Sequence, residues 1–162
     1  MFMKWQVYAF DPSMEKKDHD HSANIHFYAI GIGSEDTNDD VSRGWKLRTL
    51  KSLYEMLKPR HGAVPIDFLK LDVEQAEWAA VPHIIESGML DHIKQLALEI
   101  HFFNNVPLVD YVRVCLKVVQ SLERHGMVRF SSRANRNSEG ILMGKPNLLA
   151  YELVWYNSKF LP

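Results

Sequence analysis

The feature that most constrains this sequence is a series of short apolar segments, with amphipathic helical patterns between the later ones. Strands are predicted at 1–10, 25–32, 66–73 and 93–100, and helices at 45–57, 76–87 and 108–125. The apolar residues of 66–73 do not alternate, which is typical of a parallel strand covered on both faces. Two further strands, 127–132 and 148–156, are joined by a polar loop and indicate an antiparallel pair at a sheet edge. The pattern predicts an α/β fold with a mostly parallel sheet.

The composition is that of an ordinary globular protein. Of 162 residues, 46% are hydrophobic and 24% charged, which predicts one domain, 1–162, with a substantial core. The net charge of −1 disfavours nucleic acid and anionic membranes as partners. Arg129, Arg133 and Arg136 lack stacking aromatics spaced for nucleic acid and are expected in an edge loop. We expect no signal or transmembrane segment within this chain, although a longer parent protein could carry one upstream.

The side chains that often bind metals are few or badly placed. The single cysteine, Cys115, excludes an internal disulfide and a cysteine-based zinc site. It follows an apolar helical spacing, so we expect a plain core residue there. The consecutive acids and histidines of 18–21 cannot converge on one ion without a tight local fold. We therefore expect a solvated loop at 18–21 and predict no metal site.

Polar side chains cluster where the predicted strands end. The residues at the ends of these strands are Asp11, Asp72 with Glu74, and Glu99 with His101. The loop after the second strand adds Ser34, Glu35 and Asp36. In open α/β sheets, ligands bind beyond the carboxyl ends of the strands. These residues are therefore the first candidates for a binding or catalytic site.

Each candidate also has a purely structural interpretation. Asp11 could start a turn, since it precedes Pro-Ser. Asp72 and Glu74 could cap the helix that follows them, and Lys70 could pair with an acid as a structural ion pair. A histidine at a strand end, such as His101, is more often a hydrogen-bonded scaffold residue than a catalyst. Both interpretations stay open from the residues alone.

Several segments together resemble one known family. They are YAFDPS (8–13), IHFYAIGIGS (25–34), TLKSLYEML (49–57), IDFLKLDVEQAEW (66–78) and IKQLALEIHF (93–102). These segments resemble the methyltransferase-like domain family related to the FkbM-type methyltransferases. The resemblance extends over nearly the whole chain, and its most specific part is LKLDVEQAEW followed some twenty residues later by QLALEIHF.

The resemblance implies a fold, a cofactor and a set of site residues. The fold is a Rossmann-like class I sheet with helices on both faces and an antiparallel C-terminal strand pair. The implied cofactor is S-adenosylmethionine, with Asp11 on its ribose and Ser34, Glu35 and Asp36 near its adenine. The implied catalytic residues are Asp72, Glu74 and His101. FkbM-type relatives methylate hydroxyl oxygens, so the expected partner is a hydroxyl-bearing small molecule or glycan.

Two departures from the family pattern stand out. The family motif DVEGAE has glycine where this chain has Gln75, which would be strained if that position has a positive φ. The usual first strand and its glycine-rich loop are expected about twenty residues before Asp11, and only ten residues precede it here. We therefore expect an incomplete domain in which the first strand is missing, cofactor binding is weak and self-association is possible.

Three hypotheses follow from these observations. The first is an S-adenosylmethionine-dependent O-methyltransferase or a fragment of one, which the retained acids and His101 favour. The second is a non-catalytic relative that acts as a pseudoenzyme or interaction domain, which Gln75 and the missing loop favour. The third is another doubly wound α/β enzyme, against which the absence of GxGxxG and GxxxxGK[ST] strings counts.

Overall fold

The chain is a mixed α/β protein in which two compact units follow one another, Met1–Ala63 and Val64–Pro162. A computed structural model describes residues 5–41, 43–102 and 107–161. Within these ranges, no helix has both the length and the apolarity that a membrane crossing requires. Sheets and helices occur in both units, which confirms the predicted mixture of strands and helices.

The first unit begins with a three-stranded sheet. Its strands are β1 (Val7–Phe10), β2 (His19–Ser22) and β3 (Ile25–Tyr28), in the spatial order β1-β3-β2. The strands β1 and β3 are parallel, whereas β2 and β3 form an antiparallel hairpin. Residues 18–21 are exposed, as predicted, but the predicted loop conformation is wrong, because most of this segment pairs with β3. Of the predicted strand 1–10, residues 1–4 lie outside the described residues, and β1 is an edge strand with alternate residues exposed.

A second pair of strands precedes the helix of this unit. The predicted strand 25–32 is interrupted, so that β4 (Gly31–Ile32) pairs in parallel with β5 (Leu47–Arg48). The two strands approach closely at Gly31, where a Cβ atom would lie 2.6 Å from Cδ2 of Leu47. Pairing with β4 removes Leu47 from the helix predicted to begin at residue 45.

The helix of the first unit is α1 (Leu50–His61). The hydroxyl of Thr49 caps its N-terminus by accepting a hydrogen bond from Ser52 N. Pro59 lies inside its last turn, so the helix extends beyond the predicted end at residue 57. The end comes at Gly62, whose φ of 70° is a conformation that glycine adopts readily.

The second unit is built around a four-stranded sheet. Its helices are α2 (Glu77–Glu86) and α3 (Leu108–Arg124). Its strands are β6 (Leu69–Leu71), β7 (Gln95–His101), β8 (Met127–Ala134), β9 (Glu139–Leu142), β10 (Lys145–Leu148) and β11 (Ala150–Asn157). The sheet has the order β6-β7-β11-β8; β6 and β7 are parallel, and β11 is antiparallel to both of its neighbours.

The core of the second unit centres on β7. Five consecutive residues of this strand are buried, so both of its faces are covered. Leu98 and Trp155 are fully buried in the sheet, and Ile84 and Leu122 bury the apolar faces of α2 and α3. The expected burial on both faces does not extend to β6, where Lys70 is exposed.

The C-terminal strands form the predicted antiparallel pair, with two corrections. The strand β11 is internal, between β7 and β8, so the pair is not confined to the sheet edge. The predicted polar loop between them contains the hairpin β9–β10. Its two-residue turn, Met143-Gly144, has φ values of 53° and 74°. Two successive positive φ values suit a tight hairpin, but methionine is an unusual residue at such a position.

Candidate active site

The parallel pairing of β6 and β7 brings their carboxyl ends together. Because Leu71 lies opposite Leu98, the residues that follow β6 lie beside the end of β7. The imidazole of His101 faces three carboxylates there. Its Nε2 atom is 3.9 Å from Asp72 Oδ1, 3.8 Å from Glu74 Oε1 and 4.0 Å from Glu99 Oε1. The structure thus gathers the three predicted catalytic residues into one group.

The turn between β6 and α2 gives this group its shape. Glu74 and Gln75 have φ values of 52° and 82°, so the chain reverses sharply after Asp72. The carboxylate of Glu77, whose side chain is almost fully buried, accepts a hydrogen bond of 2.9 Å from Val73 N and closes the turn. Burial raises the pKa of Glu77. The φ at position 75 is positive, which is the condition under which strain is predicted for Gln75.

A network of charges surrounds Asp72. Partial burial raises the pKa of Asp72, and the neighbouring Glu99 carboxylate raises it further. The opposite shift occurs at Glu99, because a 2.8 Å hydrogen bond from Asn135 Nδ2 lowers its pKa. The ammonium of Lys70 lies 3.7 Å from Asp72 and 3.4 Å from Glu99. The pair therefore favours a proton on Asp72 over one on Glu99.

Two aromatic side chains fix the end of β7. The hydroxyl of Tyr111 donates a 2.6 Å hydrogen bond to the carbonyl oxygen of His101 and accepts one of 3.0 Å from Trp78 Nε1. Burial raises the pKa of Tyr111, which stays protonated and able to donate. Tyr111 is not recognisable as a site residue from the sequence, since it lies on α3 and meets β7 only in the folded chain.

Comparison with known protein families identifies residues 3–144 as a match to a family described as a methyltransferase domain. The chain belongs to this methyltransferase domain family. Two curated relatives are the probable methyltransferase-like protein 24 of Homo sapiens and that of Rattus norvegicus. Each is 26% identical over 163 residues, which covers 96% of this chain. The chain spans 44% of the human and 45% of the rat protein, less than half of each.

The predicted cofactor residues of this methyltransferase domain lie in the first unit. Asp11 directly follows β1, and its Oδ1 atom accepts hydrogen bonds from the backbone and hydroxyl of Ser13 at 2.8 and 2.6 Å. Ser34 and Glu35 are exposed in the loop after β4. Asp36 caps α1, because its oxygens accept hydrogen bonds from Thr49 N and Ser52 Oγ. Binding of a cofactor by these four residues stays a prediction.

The capping role of Asp36 explains its electrostatics. Burial alone would raise the pKa of this carboxyl, but the hydrogen bonds from Ser52 and Thr49 outweigh it and lower the pKa. Both of its oxygens are engaged at the start of α1. Among the residues that the structure describes, Asp11 Oδ2 by contrast has no hydrogen-bond partner and can still accept.

Three side chains of the methyltransferase domain bring atoms that can bind a metal ion close together. Asp72, Glu74 and His101 each offer one ligand atom, and these atoms all lie within 4.8 Å of one another. Two carboxylates and one imidazole could hold a divalent ion, although the sequence analysis predicted no metal site. That prediction stays untested.

The acidic and histidine run at 18–21 has another role. Asp18 Oδ1 accepts a 2.8 Å hydrogen bond from Ala29 N, and Asp20 Oδ1 accepts one of 2.6 Å from His26 Nδ1. The two acids are thus used separately to hold β2 against β3. Cys115 is buried, and burial raises its pKa to about 11, which confirms the expected core residue.

Proposed function

We propose that this methyltransferase domain uses S-adenosylmethionine to methylate a hydroxyl oxygen of a small molecule or glycan. Membership of the methyltransferase domain family supports the reaction class. The observation that carries the choice of a hydroxyl acceptor is His101, whose Nε2 atom faces the carboxylates of Asp72 and Glu74 at the carboxyl ends of β6 and β7. A hydroxyl is a weak nucleophile, so it benefits from a base held in place in this way.

The residues at the end of β1 fit the cofactor. A ribose presents two adjacent hydroxyl groups, and one carboxylate can accept hydrogen bonds from both. Asp11 Oδ1 already accepts from Ser13, while Oδ2 keeps its capacity to accept. We assign Asp11 to the ribose, and the exposed Ser34 and Glu35 to the neighbourhood of the adenine. When bound, S-adenosylmethionine supplies a methyl group on a positively charged sulfur atom.

The protein's own residues supply alignment and proton transfer. His101 Nε2 accepts the proton of the acceptor hydroxyl, and the carboxylates of Asp72 and Glu74 stabilise the imidazolium that forms. The Tyr111 hydrogen bond to the His101 carbonyl holds the end of β7 in place. Methyl transfer is an in-line displacement, so positioning of the acceptor contributes much of the acceleration.

The finer features of the fold belong to the same proposal. We propose that residues 1–162 form one methyltransferase domain with a Rossmann-like class I fold. Its parallel pairs β1–β3 and β6–β7, with acids after β1 and β6, support this fold. We also propose a relation to the FkbM-type methyltransferases, which the motif LDVEQAEW supports.

A methyl-transfer assay tests this function. The chain is incubated with S-adenosylmethionine carrying a tritiated methyl group and a panel of monosaccharides, uronic acids and phenols. We expect labelled product from at least one acceptor, and a loss of about 100-fold in rate for His101→Asn. His125→Asn, on an exposed histidine after α3, is the matched control and should transfer at the wild-type rate. No labelled acceptor, or full activity in His101→Asn, would contradict the proposal.

A further inference from the structure

A polar pocket adjoins the candidate active site in the second unit. Its volume is about 480 Å³, the size of a site for one small molecule. The side chains that line it are almost all charged or amide groups: Lys70, Glu99, Arg133, Asn135, Arg136 and Glu152. Pockets for small molecules are usually lined by apolar and aromatic side chains. A ligand that fits this lining must present mainly hydroxyl groups and charge.

Two side chains of the pocket lining contact the group around His101. Lys70 Nζ, which lines the pocket, is 3.7 Å from Asp72 Oδ2. Glu99, also in the lining, has its Oε1 atom 4.0 Å from His101 Nε2. A molecule in the pocket therefore has one end beside the residues that we propose to activate a hydroxyl.

The two carboxylates of the lining are already neutralised by the protein. Glu99 pairs with Lys70 at 3.4 Å and accepts a hydrogen bond from Asn135. Glu152 is held by the guanidinium of Arg133, with 2.6 Å between Arg133 Nε and Glu152 Oε2. These ion pairs and hydrogen bonds hold the carboxylates of Glu99 and Glu152 in the wall of the pocket. Neither carboxylate needs a cationic ligand to balance its charge.

The third cation of the lining, beside Lys70 and Arg133, is Arg136. Among the residues that the structure describes, Arg136 takes part in no ion pair. The loop that carries it is held in shape, because Asn135 N donates to Ala150 O at 2.8 Å and Ser138 Oγ donates to Asn135 O at 2.6 Å. A guanidinium on an ordered loop is suited to bind a carboxylate or phosphate through two parallel hydrogen bonds.

We infer that the methyl acceptor is an anionic polyol of about sugar size, with its reacting hydroxyl near His101 and its anionic group on Arg136. The inference rests on the proposed function, which it deepens by naming a substrate class. Hydroxyl groups between the two ends meet the amide of Asn135 and the fixed carboxylates of Glu99 and Glu152. A sugar acid and a sugar phosphate share this chemistry.

Calorimetric titration of the chain with three probes tests the inference: glucose, glucuronate and glucose 6-phosphate. We expect at least one of the anionic probes to bind about tenfold or more tightly than glucose. Arg136→Gln should remove this preference, whereas Arg113→Gln should keep it. Arg113 is an exposed arginine of α3 that pairs with Asp110, so it provides the matched control. Glucuronate and glucose 6-phosphate separate a carboxylate from a phosphate preference.

Two results would overturn the inference: neither anion binds more tightly than glucose, or Arg136→Gln keeps the preference. Arg136 is exposed, and thermal melting of the variant checks that it stays folded. A parallel titration with S-adenosylhomocysteine separates the two proposals. Binding of S-adenosylhomocysteine without any anion preference overturns only the acceptor class. An anion preference in a folded chain that does not bind S-adenosylhomocysteine overturns the methyltransferase proposal instead.

Discussion

Gln75 and His101 show how single residues shape the candidate site. Gln75 has a φ of 82°, which lets the chain turn back so that Glu74 comes within 3.8 Å of the His101 imidazole. A left-handed conformation costs a residue with a side chain about 1–2 kcal/mol, whereas glycine adopts it freely. The close approach of Glu74 to His101 is therefore maintained against local backbone strain.

Replacing this glutamine by glycine should stabilise the protein. We expect Gln75→Gly to raise the free energy of unfolding by about 0.5–1 kcal/mol, since relief of strain exceeds the extra flexibility of the unfolded chain. Gln120→Gly is the matched control, because Gln120 lies inside α3. There glycine should lower the free energy by about 1 kcal/mol. Urea unfolding measures the free energy of unfolding of both variants. A lower value for Gln75→Gly than for the wild type would contradict the backbone strain at position 75.

At the scale of elements, α2 and the turn before it depend on one buried acid. Glu77 is the first residue of α2, and its carboxylate accepts a hydrogen bond from Val73 N. Burial raises its pKa above the value in the unfolded chain. Between these two pKa values the native state binds more protons than the unfolded state. The contribution of Glu77 to stability is therefore greatest at low pH and is lost as the pH rises through the native pKa.

Replacing Glu77 by glutamine should remove this pH dependence. Glu77→Gln keeps an oxygen that can accept from Val73 N and never carries a charge. We expect the stability of the variant, relative to the wild type, to increase from pH 4 to pH 7. Urea unfolding at several pH values measures this difference, and Glu86→Gln at the end of α2 is the control for the exposed surface of the helix. If the stability difference between Glu77→Gln and the wild type stays constant or falls as the pH rises, the native pKa of Glu77 is not raised by burial.

Elements with regular patterns were predictable from the sequence, and those set by pairing were not. α2 and α3 were predicted closely at 76–87 and 108–125, since helical periodicity is a local signal. The strand β2 was missed because its sequence, HDHS, has no apolar residue and is held by pairing with β3. The hairpin β9–β10 was missed because its turn, Met143-Gly144, lacks the usual Asn-Gly signal.

The candidate site was predictable in part for the same reason. The rule that ligands bind beyond strand ends pointed to Asp72, Glu74 and His101, which the structure brings together. The partners of these residues come from distant positions in the chain. Asn135 follows β8 and reaches Glu99 of β7 across the intervening strand β11, and Tyr111 reaches His101 from α3. No local pattern in the sequence predicts such contacts.

At the scale of the whole molecule, family membership and the candidate active site support different parts of the proposed function. Membership of the methyltransferase domain family supports the reaction class that we propose, and the chain covers less than half of the probable methyltransferase-like protein 24 from human or rat. The second unit holds the group around His101 and the pocket at Arg136. The first unit holds Asp11, the residue that we assign to the cofactor ribose. A functional methyltransferase needs both the cofactor and the acceptor to bind.

The most direct test of the account is calorimetric titration of the purified chain with S-adenosylhomocysteine, beside Asp11→Asn and Asp67→Asn. Asp11→Asn keeps an oxygen for the bond from Ser13 N but loses the charge that we assign to the ribose hydroxyls. Asp67 is exposed and pairs with Lys94, so Asp67→Asn controls for loss of one carboxylate. We predict weak but measurable binding by the wild type and Asp67→Asn, and binding about tenfold or more weaker for Asp11→Asn. A folded wild-type chain that gives no heat of binding, or an Asp11→Asn variant that binds as tightly as the wild type, would contradict the account.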